Sequence, residues 1–169
     1  TPTPSEYPAE GECGRQPHQA WYGVTPSKLY EIRVREALHS FHPQLPAQTI
    51  RGYDGTFPGP CIVARYNEPC LVRFYNEINP YAVGYGSPEI SVHLHNLHCA
   101  SESDGFAGDY WGPARYGPGL TRAGYFKDHL FMNKYPGFTQ DPAGMGDRRE
   151  ANGTMWYHDH RMDFTEQNV

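Results

Sequence analysis

Glu89-Ile90-Ser91-Val92-His93-Leu94-His95 reads as an extended strand that ends in two histidines one residue apart. Successive side chains of a strand point to opposite faces, so residues i and i+2 share one face about 6.6 Å apart. His93 and His95 can therefore aim two imidazoles at one place while Leu94 points away. Farther along, Thr154-Met155-Trp156-Tyr157-His158-Asp159-His160 reads as a second strand, carrying a second pair of the same kind. Two such pairs brought together offer four neutral nitrogen ligands, which suits copper, zinc or iron. The pattern predicts a metal site, or half of one.

The rest of the chain reads as strands and turns. From Lys28 to Leu38, Tyr30, Ile32 and Val34 alternate with Glu31, Arg33 and Arg35, the mark of a half-buried strand. Thr49–Tyr53, Cys61–Arg65, Cys70–Tyr75 and Arg122–Phe131 are further expected strands, set apart by Gly55, Pro58, Gly59, Pro60 and Pro69. Two long Gly- and Pro-rich loops run from Cys99 to Leu120 and over residues 134–152. No sustained run places apolar residues at i, i+3, i+4 and i+7. With 18 Gly, 16 Pro and 13 Tyr among 169 residues, the expected class is all-β, a Greek-key barrel or sandwich. Residues 1–27 lack periodicity and read as an arm wrapped on a surface, followed by one folded unit over 28–169.

Net charge is −5 with 20% charged residues, so no nucleic-acid or membrane-surface partner is expected. No stretch approaches the roughly 20 apolar residues that span a bilayer. The chain begins at Thr1 and carries no apolar signal segment, which suggests a processed product. Four cysteines, Cys13, Cys61, Cys70 and Cys99, could form two disulfides in any of three connectivities. Asn152-Gly153-Thr154 is a glycan acceptor if the chain is secreted. Together these features predict a secreted, extracellular protein.

Four motifs occur in a fixed order: Tyr53-Asp54-Gly55-Thr56-Phe57-Pro58-Gly59-Pro60, His93-Leu94-His95, Ser103-Asp104-Gly105 and Thr154–His160. From about Thr49 to Val169 the chain thereby resembles the first cupredoxin domain of the three-domain multicopper oxidases, in particular the spore-coat laccases and bilirubin oxidases. The resemblance implies a cupredoxin-like barrel in which His93 binds a type 2 copper, and His95, His158 and His160 bind a type 3 pair. It also implies that Asp104 assists proton delivery to oxygen. The implied reaction couples one-electron oxidation of a substrate, phenolic or aromatic, to four-electron reduction of O₂ to water. One departure is Asn96, where the family has Gly after the first pair; Asn is among the residues that best tolerate the left-handed region.

The family's trinuclear cluster takes eight histidines, of which four lie here, and its type 1 copper needs a Cys and two His. No cysteine of this chain sits in a His-Cys-His context. An end at Val169 would leave sheet edges open. The barrel is accordingly expected to be incomplete without a second polypeptide, which would also carry the type 1 copper. Two other classes compete. One is a non-catalytic copper-binding cupredoxin subunit. The other is a binuclear zinc hydrolase, reading His93, His95 and His98 as His-X-His-X-X-His without the downstream carboxylate such a site needs. His98 is expected in a loop, and His18, His39, His42 and His129 at the surface. Asp159 is expected to make a structural hydrogen bond, and Trp156 and Tyr157 to pack in the core beside the site.

Overall fold

The computed structural model describes residues 11–12, 24–81, 87–106, 119–161 and 164–165. The alternation at the start of the chain becomes strand β1 (Lys28–His39), with Ile32 and Val34 buried and Glu31 and Arg35 exposed. β2 (Gln48–Tyr53), β3 (Cys70–Asn76) and β5 (Phe126–Phe131) join it in a four-stranded sheet of order β2-β1-β3-β5. β1 runs antiparallel to β2, with Val34 opposite Tyr53, and parallel to β3, with Ile32 opposite Phe74. A parallel pair cannot be joined by a tight turn. Here β2 intervenes in the chain while β1 and β3 lie side by side, so the chain must cross over.

β4 (Val92–His95) and β6 (Trp156–Asp159) form a separate antiparallel two-stranded sheet. The core fills the space between the two sheets: Ile32, Val34, Val72 and Phe74 from one meet Val92, Leu94 and Tyr157 from the other. The described helical elements are short 3-10 turns, Ser101–Ser103 and Arg148–Glu150. The all-β expectation therefore holds, and among the described residues the barrel is not closed. No helix among the described residues is long and apolar enough to cross a membrane.

Several details differ from expectation. Cys61–Arg65 is not a strand, because its backbone finds no partner strand among the described residues; Ile62 alone of its side chains packs on the core. β4 and β5 are shorter than the sequence pattern suggested. The whole of β5 is buried, Lys127, Asp128 and His129 included; β3 pairs with it along one edge, and Glu12 bridges Phe126 on the other. The Phe126 amide donates to the Gly11 carbonyl at 3.2 Å, so this piece of the N-terminal arm does lie on the sheet. The remaining arm, with Cys13 and His18, falls outside the described residues. The expected disulfides are not formed among Cys61, Cys70 and Cys99, which are free thiols. Cys70 is buried with its sulfur 3.6 Å from Asn133 Nδ2, and the Cys99 thiol donates to Asp104 Oδ1 at 3.3 Å.

Candidate metal centre

The register of the small sheet builds the site. His93 lies opposite His158, and His95 opposite Trp156. Directly opposed residues of an antiparallel pair share a face, so both histidine pairs and Trp156 project from one side. Leu94 and Tyr157 alternate to the other side and enter the core. Tyr157 also donates its hydroxyl to the Pro60 carbonyl at 2.5 Å and packs edge-on to Tyr53.

One nitrogen each from His93, His95 and His158 falls within 4.8 Å of the others. His160 stays outside that compact triplet but close by, its ring centroid 4.9 Å from that of His93 and 5.4 Å from that of His158. His158 is almost wholly buried, and its Nε2 finds no hydrogen-bond partner among the described residues; neither does His160 Nδ1. Buried polar atoms are ordinarily paired, so two orphaned ring nitrogens beside a histidine triplet fit a bound cation. Burial lowers the proton affinity of His158, and the neighbouring His93, His160 and His95 lower it further, although the backbone hydrogen bond to Asp159 opposes the shift. For His158 this favours the neutral imidazole, the form that binds metals.

Backbone carbonyls orient two of these rings. His93 Nδ1 donates to the Asp104 carbonyl at 2.6 Å, and His158 Nδ1 to the Asp159 carbonyl at 2.9 Å. A carbonyl only accepts, so each contact places the proton on Nδ1 and leaves Nε2 with its lone pair. The Asp104 carboxylate is half exposed and lies 3.2 Å from the same His93 nitrogen. Asp104 thus reaches the cluster both through its backbone and through its side chain.

Asp159 makes the structural bonds expected of it. Its Oδ1 accepts from the Ser91 amide at 3.0 Å and the Arg161 amide at 3.1 Å, while Oδ2 accepts from Arg161 Nε at 2.8 Å. One carboxylate therefore ties β4 to the end of β6, and with it one histidine pair to the other. Asn96 sits at φ 67, the left-handed conformation anticipated from its place after the first pair. Its side-chain amide donates to the carbonyls of Gly153 and Thr154, the residues leading into β6.

Two expectations need correction. Trp156 is not core packing: it is partly exposed and stacks on His95 at 5.3 Å between centroids, because its register places it on the histidine face. His129 is not at the surface but fully buried, packed against Phe74 and Phe131 with its ring on the Ser103 carbonyl. His98 lies in the loop after β4, as expected, and does not extend the first pair into a third ligand; it faces Glu150 at 3.9 Å. That removes the support for a zinc hydrolase motif. Sequence reasoning missed Ser91 and Arg161 as partners of Asp159: Ser91 lies 68 residues away, and the neighbouring Arg161 carries no sign in the sequence that its side chain turns back on the carboxylate.

No family model matches the chain. It is 29% identical over 151 residues to the bilirubin oxidase of Albifimbria verrucaria, covering 89% of this chain and 19% of that protein. It is 29% identical over 155 residues to a laccase of Bacillus subtilis, covering 83% of this chain and 27% of that protein. In three dimensions it matches Lac15 from a marine microbial metagenome with a TM-score of 0.53 at 23% identity, over 82% of this chain and 30% of that one. The chain thus spans about a fifth to a quarter of the length of the curated relatives it matches.

Proposed function

We propose, from the premise that this chain is related to the N-terminal cupredoxin domain of multicopper oxidases, that it provides half the ligands of a trinuclear copper centre. The whole oxidase would couple one-electron oxidation of a small phenolic or other aromatic substrate to reduction of O₂ to water. The observation that carries this reading is the gathering of His93, His95 and His158 within 4.8 Å, with His160 alongside. Copper(II) stands above the other first-row divalent ions in affinity for such nitrogen donors, which favours it over zinc. His93 would hold the type 2 copper, and His95, His158 and His160 the type 3 pair. The remaining histidines and the type 1 copper would come from polypeptide outside this sequence, in the proposal a second chain. Secretion belongs to the same proposal.

Bound copper would supply single-electron chemistry, collecting electrons from substrate and delivering four to O₂. The residues of this chain set the conditions for it. The Asp104 and Asp159 carbonyls hold His93 and His158 as Nδ1–H tautomers, and burial keeps His158 neutral. Trp156 covers the ring faces of His95 and His158. The half-exposed Asp104 carboxylate beside His93 is suited to relay protons between solvent and the centre.

Paired substitutions in the copper-loaded oxidase test this. His158→Ala is expected to abolish O₂ consumption and remove copper while leaving the blue chromophore of the type 1 site. Asp104→Asn is expected to retain its copper, slow turnover and shift the pH–rate profile. Loss of the blue band with turnover intact would refute the ligand assignment, and an unchanged rate across pH would remove Asp104 from proton transfer. Zinc without copper in native material would sink the oxidase reading. Copper without O₂ consumption would favour the non-catalytic binding subunit.

A further inference from the structure

Asp104 and the carbonyl that orients His93 lie at the end of a single 3-10 turn, Ser101–Ser103, whose own capping bond is long, from the Asp104 amide to the Ser101 carbonyl at 3.4 Å. So short a turn cannot hold its place by its own hydrogen bonds. It is held instead by β5. Ser103 is completely buried, and two donors from adjacent residues of β5 converge on it. The Leu130 amide donates to Ser103 Oγ at 2.9 Å, and His129 Nδ1 donates to the Ser103 carbonyl at 2.8 Å. The next residue is Asp104, whose carbonyl receives the His93 proton.

We propose that Ser103 and His129 are positioning residues for the candidate metal centre, anchoring the Asp104 turn to β5 so that His93 is kept in one ring orientation and one tautomer. The relay runs from His129 Nδ1–H to the Ser103 carbonyl, through the Ser103–Asp104 peptide, and from the Asp104 carbonyl to His93 Nδ1–H. Neither Ser103 nor His129 is among the proposed ligands.

An unsatisfied atom supports this role. His129 is fully buried beside Phe74 and Phe131, yet its Nε2 finds no hydrogen-bond partner among the described residues. A buried polar atom without a partner is unfavourable, so a phenylalanine of similar size would suit an inert core position better. What a phenylalanine lacks is the Nδ1–H that meets Ser103. Burial, and after it the Lys127 charge, hold the His129 pKa down to about 3, so the ring is a neutral, fixed donor throughout the physiological range.

Although the inference rests on the metal-centre reading for its purpose, its test has a part that needs no metal. In the intact protein freed of metal, ¹⁵N-edited NMR reads the His93 Nδ1 proton directly. Cu(II) titration of the same samples reads affinity. Groups that orient a metal-ligating histidine commonly contribute about 10- to 100-fold in affinity, and His129→Phe is expected to lose about 10-fold and the His93 Nδ1–H signal with it. His129→Asn, whose side-chain amide can donate where Nδ1 does, is expected to keep the signal and most of the affinity. A folded His129→Phe protein with an unchanged His93 signal and Cu(II) affinity would overturn the proposal. So would equal losses in His129→Phe and His129→Asn. If His129→Phe fails to fold, Ser103→Ala, which removes only the acceptor of the Leu130 amide, is read the same way. A wild-type protein that takes up no Cu(II) would refute the proposed function, and the His93 signal would still decide this inference.

Discussion

At the scale of single residues, the site depends on places where only one kind of side chain fits. Gly105, after Asp104, adopts φ +72, and a Cβ there would lie 2.2 Å from the Val92 carbonyl oxygen and 3.0 Å from the His93 nitrogen. The glycine lets the Asp104 turn lie directly on the strand that carries the first histidine pair. Gly105→Ala combines left-handed strain with a backbone clash that no rotamer relieves. It is expected to destabilise the fold by roughly 3 kcal/mol or more, read as a lower urea midpoint, and to disturb His93. A variant as stable as the parent would mean that turn and strand are not in this contact. Asn96 is the complementary case. Its left-handed backbone can be met by Gly, but the two bonds from its side chain to the approach of β6 cannot.

At the scale of elements, β5 is the strand on which the site leans. All six of its residues are buried, and its polar members are engaged: Asp128 accepts a two-pronged bond from Arg73, at 2.7 Å on each oxygen, and His129 serves Ser103. A histidine kept neutral in the fold has a consequence for stability. His129 has a pKa of about 3 when folded, against 6.5 when exposed, so below pH 6.5 the unfolded chain binds a proton that the folded chain refuses. Stability from this group is complete above pH 6.5 and falls as pH drops through 6.5 towards 3, by at most about 1.4 kcal/mol per pH unit. The lowered pKa of His158 acts in the same direction. Denaturation midpoints measured from pH 7.5 to 4 should decline, and His129→Asn should flatten the decline. Equal slopes for the two proteins would mean that His129 protonates freely within the fold.

At the scale of the whole molecule, the two sheets of the described residues enclose a core but do not close a barrel. An apolar cleft lies between the residue 58–64 loop and β6, lined by Ile62, Leu94, Phe131 and Trp156. The histidines of the site are those of one domain, whereas the relatives are roughly four to five times as long as the segment they share with this chain. If the proposed function holds, native material should contain copper together with polypeptide mass beyond the 19.2 kDa of this sequence. Intact-mass and metal analysis of the native protein checks both at once. A functional oxidase composed of this chain alone would overturn the proposed division of ligands.

The strands and the two histidine pairs were legible in the sequence, because a strand's period of two is local: Ile32 and Val34, or His93 and His95, share a face wherever the strand lies. Asn96 was legible for the same reason, since a backbone conformation belongs to the residue that adopts it. What only the tertiary structure decided depends on partners far along the chain. Cys61–Arg65 has a strand's composition but no partner strand among the described residues, and nothing local in the β5 sequence tells that both of its faces are buried. Trp156 joined the histidine face through its register opposite His95, and His129 became a buried anchor through its contact with Ser103, 26 residues away. Alternation tells which side chains point together; which side is buried, and against what, is set only when the strands pair.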